Sequence, residues 1–331
     1  MAEQGTWGLS EGDEIAPGRY AARLLGGGKR YEAYVVWDDD LHALAVAKML
    51  RPDLATDGLP GLQAEATLLG SLAHPSVVRM YDAVLYGERP HVLLEYLDGP
   101  RLSTLIRRYG VIVEQALPLA LEVCAALHYL HGQGVVHLDV KPRNIVMSAR
   151  PTLIDLSVAT TVEAAPTLTR PVGTDAFMAP EQCDPARFAT LGPPADIWGL
   201  GVTLYEALAR KRPFPAPDES QVDLEARYPQ VVHAPAPLPR GVPTALAELV
   251  YACLAVGPAD RPTAAELAAE LEPLVAGLPG PRLGLFRPGG RARTAAYGAR
   301  DESILKGVSP RSHDPRVLLS SINPKREGGM R

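Results

Sequence analysis

The stretch ALAVAKML (43–50) sets an ammonium group, Lys48, inside a run that otherwise reads as a buried β-strand. An unpaired charge in such a place is costly. The chain must therefore bring a carboxylate to it. The segment GLQAEATLLGSLA (61–73) has helical spacing, with Leu62, Leu69 and Leu72 on one face. Glu65 lies three residues after Leu62 and four before Leu69, so it shares that inward face. A buried Lys and a buried Glu, each unreasonable alone, become reasonable as a pair. That pairing requires helix 61–73 to dock on strand 43–50.

The rest of the chain sorts around this contact. YEAYVVW (31–37) is strand-like and joins 43–50 through the turn DDDLH. VVRMYDAVLY (77–86) and HVLLEY (91–96) read as two more strands, with GERP as their turn. After LDGP the pattern becomes helical. Residues 115–134 end in glycine signals. Residues 196–209 are apolar nearly all round, so this helix belongs in a core. A last helix covers 263–274. The expected architecture is α+β and bilobal. A β-rich lobe with one main helix spans about 18–96, and an α-rich lobe spans about 99–275. A hinge near 96–100 would leave a cleft between them. Residues 1–17 are expected to be a flexible lead. Residues 276–331 are rich in Gly, Pro and Arg and lose all periodicity, so a basic, disordered tail is expected there.

Composition removes several classes of function. A net charge of −5 argues against nucleic acid as a partner. No apolar run approaches the roughly 18 residues of a membrane span, and the polar, acidic N-terminus is no signal peptide. Cys124, Cys183 and Cys253 are scattered with no CxxC pair, which fits small buried groups in a reducing, cytoplasmic setting.

The chemistry concentrates in VVHLDVKPRNIVM (135–147). Asp139 can take a proton from a hydroxyl held near it. Lys141, two residues on in an extended segment, points the same way and could sit beside a phosphate. Asn144 offers an oxygen to a hard cation such as Mg²⁺. The apolar flanks would pin these groups to rigid strands, as catalysis by positioning requires. The same residues could also form a plain polar loop between short strands. PTLIDLSVAT (151–160) adds a second strand ending in a carboxylate, Asp155, which with Asn144 makes a two-ligand Mg²⁺ site. LGGG (25–28) precedes strand 31–37, where backbone N–H groups could approach phosphates.

Taken in order, these motifs resemble the eukaryotic-type (Hanks-type) serine/threonine protein kinases over roughly residues 18–275. The resemblance implies roles. Lys48 would hold the α- and β-phosphates of ATP and pair with Glu65. Asp139 in His137-Leu138-Asp139 would be the base, with Lys141 beside it, and Asn144 and Asp155 would bind Mg²⁺. Gly26 and Gly28 would belong to the phosphate loop, Ala33 and Val46 to the adenine roof, and Val146 to its floor. The backbone around Glu95 and Leu97 would bond adenine, with Leu94 guarding the inner pocket. MAPEQ (178–182) looks like the end of the activation segment. Asp196 in ADIWGLG would tie down the catalytic loop, and Arg261 would pair with Glu181. Lys141 and Thr174 look like the Ser/Thr-directed version of the loop. The implied cofactors are ATP and Mg²⁺, and the implied partners are protein substrates. Thr167, Thr169 or the tail serines Ser303, Ser309 and Ser312 are candidate autophosphorylation sites. The Ala-, Pro- and Arg-rich composition suggests a bacterial, actinobacterial source without a membrane anchor.

Three positions depart from the family pattern. The catalytic-loop Arg, which grips an activation-segment phosphate, is Leu138, so activity independent of that phosphorylation is expected. Asp-Phe-Gly becomes Asp155-Leu156-Ser157, and Ser157 restricts backbone that Gly leaves free. The third glycine of the phosphate loop is Tyr31, which narrows the approach to phosphate. These departures keep open a nucleotide-binding pseudokinase or scaffold. A small-molecule phosphotransferase of related fold is opposed by MAPEQ, ADIWGLG and Arg261, which build a protein-substrate platform in the family.

Overall fold

Six antiparallel strands build the first lobe of the computed structural model, which describes residues 5–278 except 55, 56, 186, 188–190 and 222. They are β1 (Glu14–Ala16), β2 (Arg19–Gly27), β3 (Tyr31–Asp38), β4 (Ala43–Leu50), β5 (Met80–Val84) and β6 (His91–Glu95), in the sheet order β1-β2-β3-β4-β6-β5. Helix α1 (Leu59–Ser71) packs on one face, with Pro60 in its first turn, and buries Leu62, Glu65, Ala66 and Leu69.

The period of two in each strand assigns the faces. Ala33 lies opposite Lys48 and Val35 opposite Val46, while Val92 and Leu94 flank the same two β4 residues from β6. Directly opposed residues share a face, so this row looks toward α1 and the second lobe. Tyr34, Val36, Ala45, Ala47, Met49 and Leu93 form a separate apolar cluster on the other face, covered by Trp7 and Leu9.

That cover corrects the expectation of a flexible lead at residues 1–17, as far as residues 5–17 are concerned. β1 pairs with β2. The Trp7 indole N–H donates to the Leu50 carbonyl at 2.7 Å, and its backbone N–H to Glu32 Oε2 at 3.2 Å. The back face of the sheet needs an apolar lid, and a tryptophan with its N–H satisfied supplies one. A second difference concerns strand 77–86, of which only Met80–Val84 joins the sheet. Val78 instead donates to Leu153 O, and Leu153 to Ser76 O, so its first residues are bonded to the other lobe. The glycine-rich stretch is also more regular than expected. β2 runs through Gly27 and closes a tight turn in which Gly28 N–H donates to Tyr31 O at 2.8 Å.

The second lobe is helical. It comprises α2 (Leu102–Arg108), α3 (Val113–Gly132), α4 (Pro180–Cys183), α5 (Pro194–Ala209), α6 (Leu224–Arg227), α7 (Thr244–Cys253) and α8 (Ala264–Ala276). Two short antiparallel pairs lie on it: β7 (Val135–Val136) with β10 (Thr160–Thr161), and β8 (Ile145–Met147) with β9 (Pro151–Leu153). Every residue of α5 from Ala195 to Tyr205 is buried, as its all-round apolar pattern requires. α8 opens on a capping box, Thr263 and Glu266 bonding each other's backbone N–H. The connection at 96–101 runs so close to β8 that a Cβ at Gly99 would stand 2.3 Å from the Met147 carbonyl oxygen. Only glycine fits the hinge there. The tail expected at 276–331 lies outside the described residues from 279 onward.

Replacing Trp7 by Ala removes a half-buried aromatic and one hydrogen bond, about 2 kcal/mol. Thermal unfolding should fall by about 4–8 °C for a domain of this size, and Trp7→Phe should recover part of the loss. An unchanged melting temperature in Trp7→Ala would show that the lead is not part of the lobe.

Candidate active site

Three elements deliver charge to one point. Lys48 on β4 is 8% exposed and Glu65 on α1 is 2% exposed. The ammonium donates to both Glu65 oxygens at 2.7 and 2.9 Å and to Asp155 Oδ1 at 2.6 Å. Burial alone pushes Lys48 down, but Glu65 and Asp155 overcome it and hold the ammonium above its ordinary value. Burial likewise disfavours the Asp155 charge, and Lys48 reverses that, holding it well below the usual carboxylate range. Glu65 is the group that burial leaves raised, against the pull of Lys48.

The second cluster sits in the loop between β7 and β8. Asp139 Oδ2 accepts from Lys141 at 2.6 Å and from the Asn144 amide at 3.0 Å, and its Oδ1 accepts from the Thr174 hydroxyl at 2.7 Å. Lys141 also donates to Thr174 at 2.6 Å. The loop is held from beneath by Asp196 of α5, whose two oxygens accept the backbone N–H groups of His137 (2.9 Å) and Leu138 (2.7 Å). His131, at the end of α3, donates to the same carboxylate at 2.9 Å. This grip keeps Leu138 in the left-handed region at φ +61°, a strain of about 1–3 kcal/mol.

Asp155 is the other left-handed residue here, at φ +70°. The turn aims its carboxylate across to Lys48. Ser157 is not among the residues with positive φ, so its backbone is one that a serine adopts without strain. The two clusters are joined through Ile154, whose N–H donates to Asn144 O at 2.8 Å and whose carbonyl faces His137 Nε2 at 3.3 Å. Asn144 spends its amide N–H groups on Asp139, which leaves its side-chain oxygen for a cation. An amide oxygen and a carboxylate are hard donors suited to Mg²⁺. No group of three or more His, Cys, Asp or Glu side chains able to cage a metal occurs among the described residues.

The residues predicted to surround a nucleotide are distributed on both lobes. Gly26 has φ +140°, a glycine-only conformation, and Arg51 donates to Gly28 O at 2.7 Å. Ala33 and Val46 are half-buried on the cleft face of the sheet. Val146, 8% exposed, comes from β8 of the second lobe, where it bridges to Arg101. Glu95 ends β6, Leu97 follows in the hinge, and Leu94 is buried beside Val46.

Sequence reasoning missed two residues. One is His131, which only a three-dimensional view connects to Asp196. The other is Gln182, 2% exposed, whose amide donates to Leu138 O and to Val172 O, both at 2.8 Å, and accepts from Ala179 N–H at 3.0 Å. It ties segment 155–182 to the catalytic loop. A Cβ at Gly173 (φ +123°) would stand 2.7 Å from Leu138 O, so this closeness also depends on glycine. Beside it, Glu181 and Arg261 form a bidentate pair at 2.6 and 2.9 Å, and the guanidinium lies 5.0 Å from the Trp198 ring centroid.

Comparison with known proteins gives consistent matches. The family model described as protein kinase domain matches residues 20–271. Serine/threonine-protein kinase PknB of Mycobacterium leprae is 32% identical over 272 residues, covering 77% of this chain and 43% of that protein. Serine/threonine-protein kinase PkaA of Streptomyces coelicolor is 32% identical over 242 residues, covering 70% and 43%. Serine/threonine-protein kinase PknA of Mycobacterium tuberculosis is 31% identical over 296 residues, covering 84% and 66%. The chain thus spans less than half the length of the PknB and PkaA relatives.

Breaking the Glu181–Arg261 pair from one side leaves an uncompensated buried charge. Arg261→Met should destabilise the domain by about 3–5 kcal/mol in urea unfolding, and adding Glu181→Met should restore part of it. Equal stability of wild type and Arg261→Met would contradict the burial assigned to this pair.

Proposed function

Because the chain belongs to the protein kinase family, we propose that it transfers the γ-phosphoryl group of ATP to serine or threonine hydroxyls of proteins. One observation carries this reading. Asp139, Lys141, Thr174 and Asn144 form one hydrogen-bonded group, and Lys48, Glu65 and Asp155 form another, linked through Ile154.

Asp139 has three of its four lone-pair positions committed, one to Thr174, one to Lys141 and one to Asn144. The remaining one can accept the proton of an incoming hydroxyl. Lys141 is placed to screen negative charge beside that oxygen, and Lys48 to hold phosphate oxygens from the sheet side. Asn144 and Asp155 would hold Mg²⁺, which when bound would neutralise charge on the phosphates. A serine or threonine preference follows from Lys141 and Thr174 by family likeness. The names of the PknB, PkaA and PknA relatives support it.

The reading includes activity without activation-segment phosphorylation. Leu138 is buried with its side chain in the core and offers nothing to a phosphate. Gln182 joins the two segments as a neutral amide instead. Thr167 and Thr169 are exposed, so they serve here as autophosphorylation sites without a gating role. Ser303, Ser309 and Ser312 lie outside the described residues. Cytoplasmic placement belongs to the same proposal. It is supported by three buried free thiols, with burial pushing Cys253 up to about 12. A nucleotide-binding scaffold without transfer is the second reading, favoured by the Tyr31 ring lying over Lys48.

Mass spectrometry after incubation with Mg-ATP should find new phosphate on serine or threonine. Asp139→Asn should lower kcat by about 100- to 10,000-fold while ATP binding is retained. No transfer by wild type, with nucleotide still bound, would favour the scaffold. Thr167→Ala/Thr169→Ala should keep wild-type kcat, and its loss in a folded protein would refute phosphorylation independence.

A further inference from the structure

The cleft holds one aromatic ring where the family pattern has a glycine. Tyr31 opens β3, on the same face as Ala33 and therefore as Lys48. Its ring centroid lies 4.6 Å from the Lys48 ammonium, within cation–π range. The hydroxyl end reaches α1, where a Cβ at Gly61 would stand 3.6 Å from it. The side chain thus spans from the glycine turn to α1, across the phosphate side of the ammonium.

The neighbouring backbone is fastened by three hydrogen bonds. Gly28 N–H donates to Tyr31 O, Arg51 N–H donates to Arg30 O, and the Arg51 guanidinium donates to Gly28 O. Burial raises the Tyr31 hydroxyl from its ordinary value, with Lys48 opposing. The ring therefore meets Lys48 as a neutral π face and not as a phenolate partner. With Glu65 and Asp155 on its other sides, the ammonium has three competing partners. A triphosphate must displace at least one to reach it.

We propose that Tyr31 is a specificity-determining residue of the phosphate subsite: its ring covers Lys48, so binding of a nucleoside triphosphate requires the ring to leave while binding of the nucleoside alone does not. This rests on the reading of the cleft as a nucleotide site. It makes the affinity for ATP lower than the same cleft would have with a bare glycine turn. The enzyme then responds to ATP over a higher concentration range.

Calorimetric titration of the full chain with Mg-ATP and, separately, with adenosine tests this. Tyr31→Ala should tighten Mg-ATP by about 3- to 30-fold, the value of one cation–π contact, and leave adenosine unchanged. Tyr31→Phe keeps the ring and should match wild type for both ligands. Tyr31→Leu keeps apolar bulk against the core without a π face, so it serves if the Ala variant does not fold, and it should also tighten Mg-ATP. Equal Mg-ATP affinity in wild type, Ala and Leu, or an equal shift for adenosine, overturns the proposal alone. Absence of both adenosine and Mg-ATP binding in wild type and variants overturns the nucleotide cleft and the proposal with it.

Discussion

Lys48 is where the architecture becomes obligatory. Its ammonium is buried, and burial disfavours the charge. Glu65 from α1 and Asp155 from the second lobe together more than offset this. A single pair would have fixed only the helix against the sheet. The third partner fixes the lobes against each other, because Asp155 follows β9 and reaches Lys48 only with the cleft at this width. The inner cleft holds one more carboxylate than ammonium, counting Glu65, Asp139 and Asp155 against Lys48 and Lys141.

Strain is concentrated on either side of this junction. Leu138 and Asp155 both take left-handed backbone, which Asp enters more readily than Leu but which is uncommon for either. Each is held by hydrogen bonds that offset its strain. Leu138 has its N–H on Asp196 and its carbonyl on Gln182. Asp155 has its carboxylate on Lys48. The two bonds that involve a charged group, to Asp196 and to Lys48, are worth about 1.5–3 kcal/mol each, comparable to the strain of about 1–3 kcal/mol they oppose. Both residues come from loops, and both are locked by groups on helices or strands. Asp139, Asn144 and Asp155 are thereby held in fixed positions.

The sequence made the frame legible where charge appeared in apolar surroundings. Lys48 and Glu65 are each unreasonable in isolation, and they are found paired. Asp196 and Arg261 were implied only by the family likeness, and they are found against the Leu138 N–H and Glu181. The bilobal division was readable too, from the switch of period between two and 3.6. What escaped was of two kinds. Neutral side chains such as Gln182 carry no burial penalty visible in a pattern, and their use depends on which carbonyls the fold brings near. The lead around Trp7 looked like polar linker because its apolar residues on the sheet, Trp7, Leu9, Ile15 and Ala16, are scattered among polar ones. Strand 77–86 was read as continuous because its composition is uniform, whereas Val77 and Val78 are claimed by Leu153 across the lobe boundary. Composition cannot rank two competing partners for one backbone.

The lead has a consequence beyond covering the sheet. Glu32 is 3% exposed, and its carboxylate is met by Arg51, by the Tyr34 hydroxyl and by Trp7 N–H. Arg51 in turn reaches Gly5 O and Gly28 O. A chain of contacts therefore runs from residues 5–7 through Glu32 and Arg51 to the glycine turn, and from there to Tyr31 and Lys48. Surface ion pairs transmit little, because water screens them. Here the central carboxylate is buried, and leaving one of its hydrogen bonds unmade costs about 1–3 kcal/mol. The position of the glycine turn over the cleft is thus coupled to the N-terminal residues more tightly than their exposed setting suggests. The back of the sheet and its glycine turn are joined through Glu32 and Arg51.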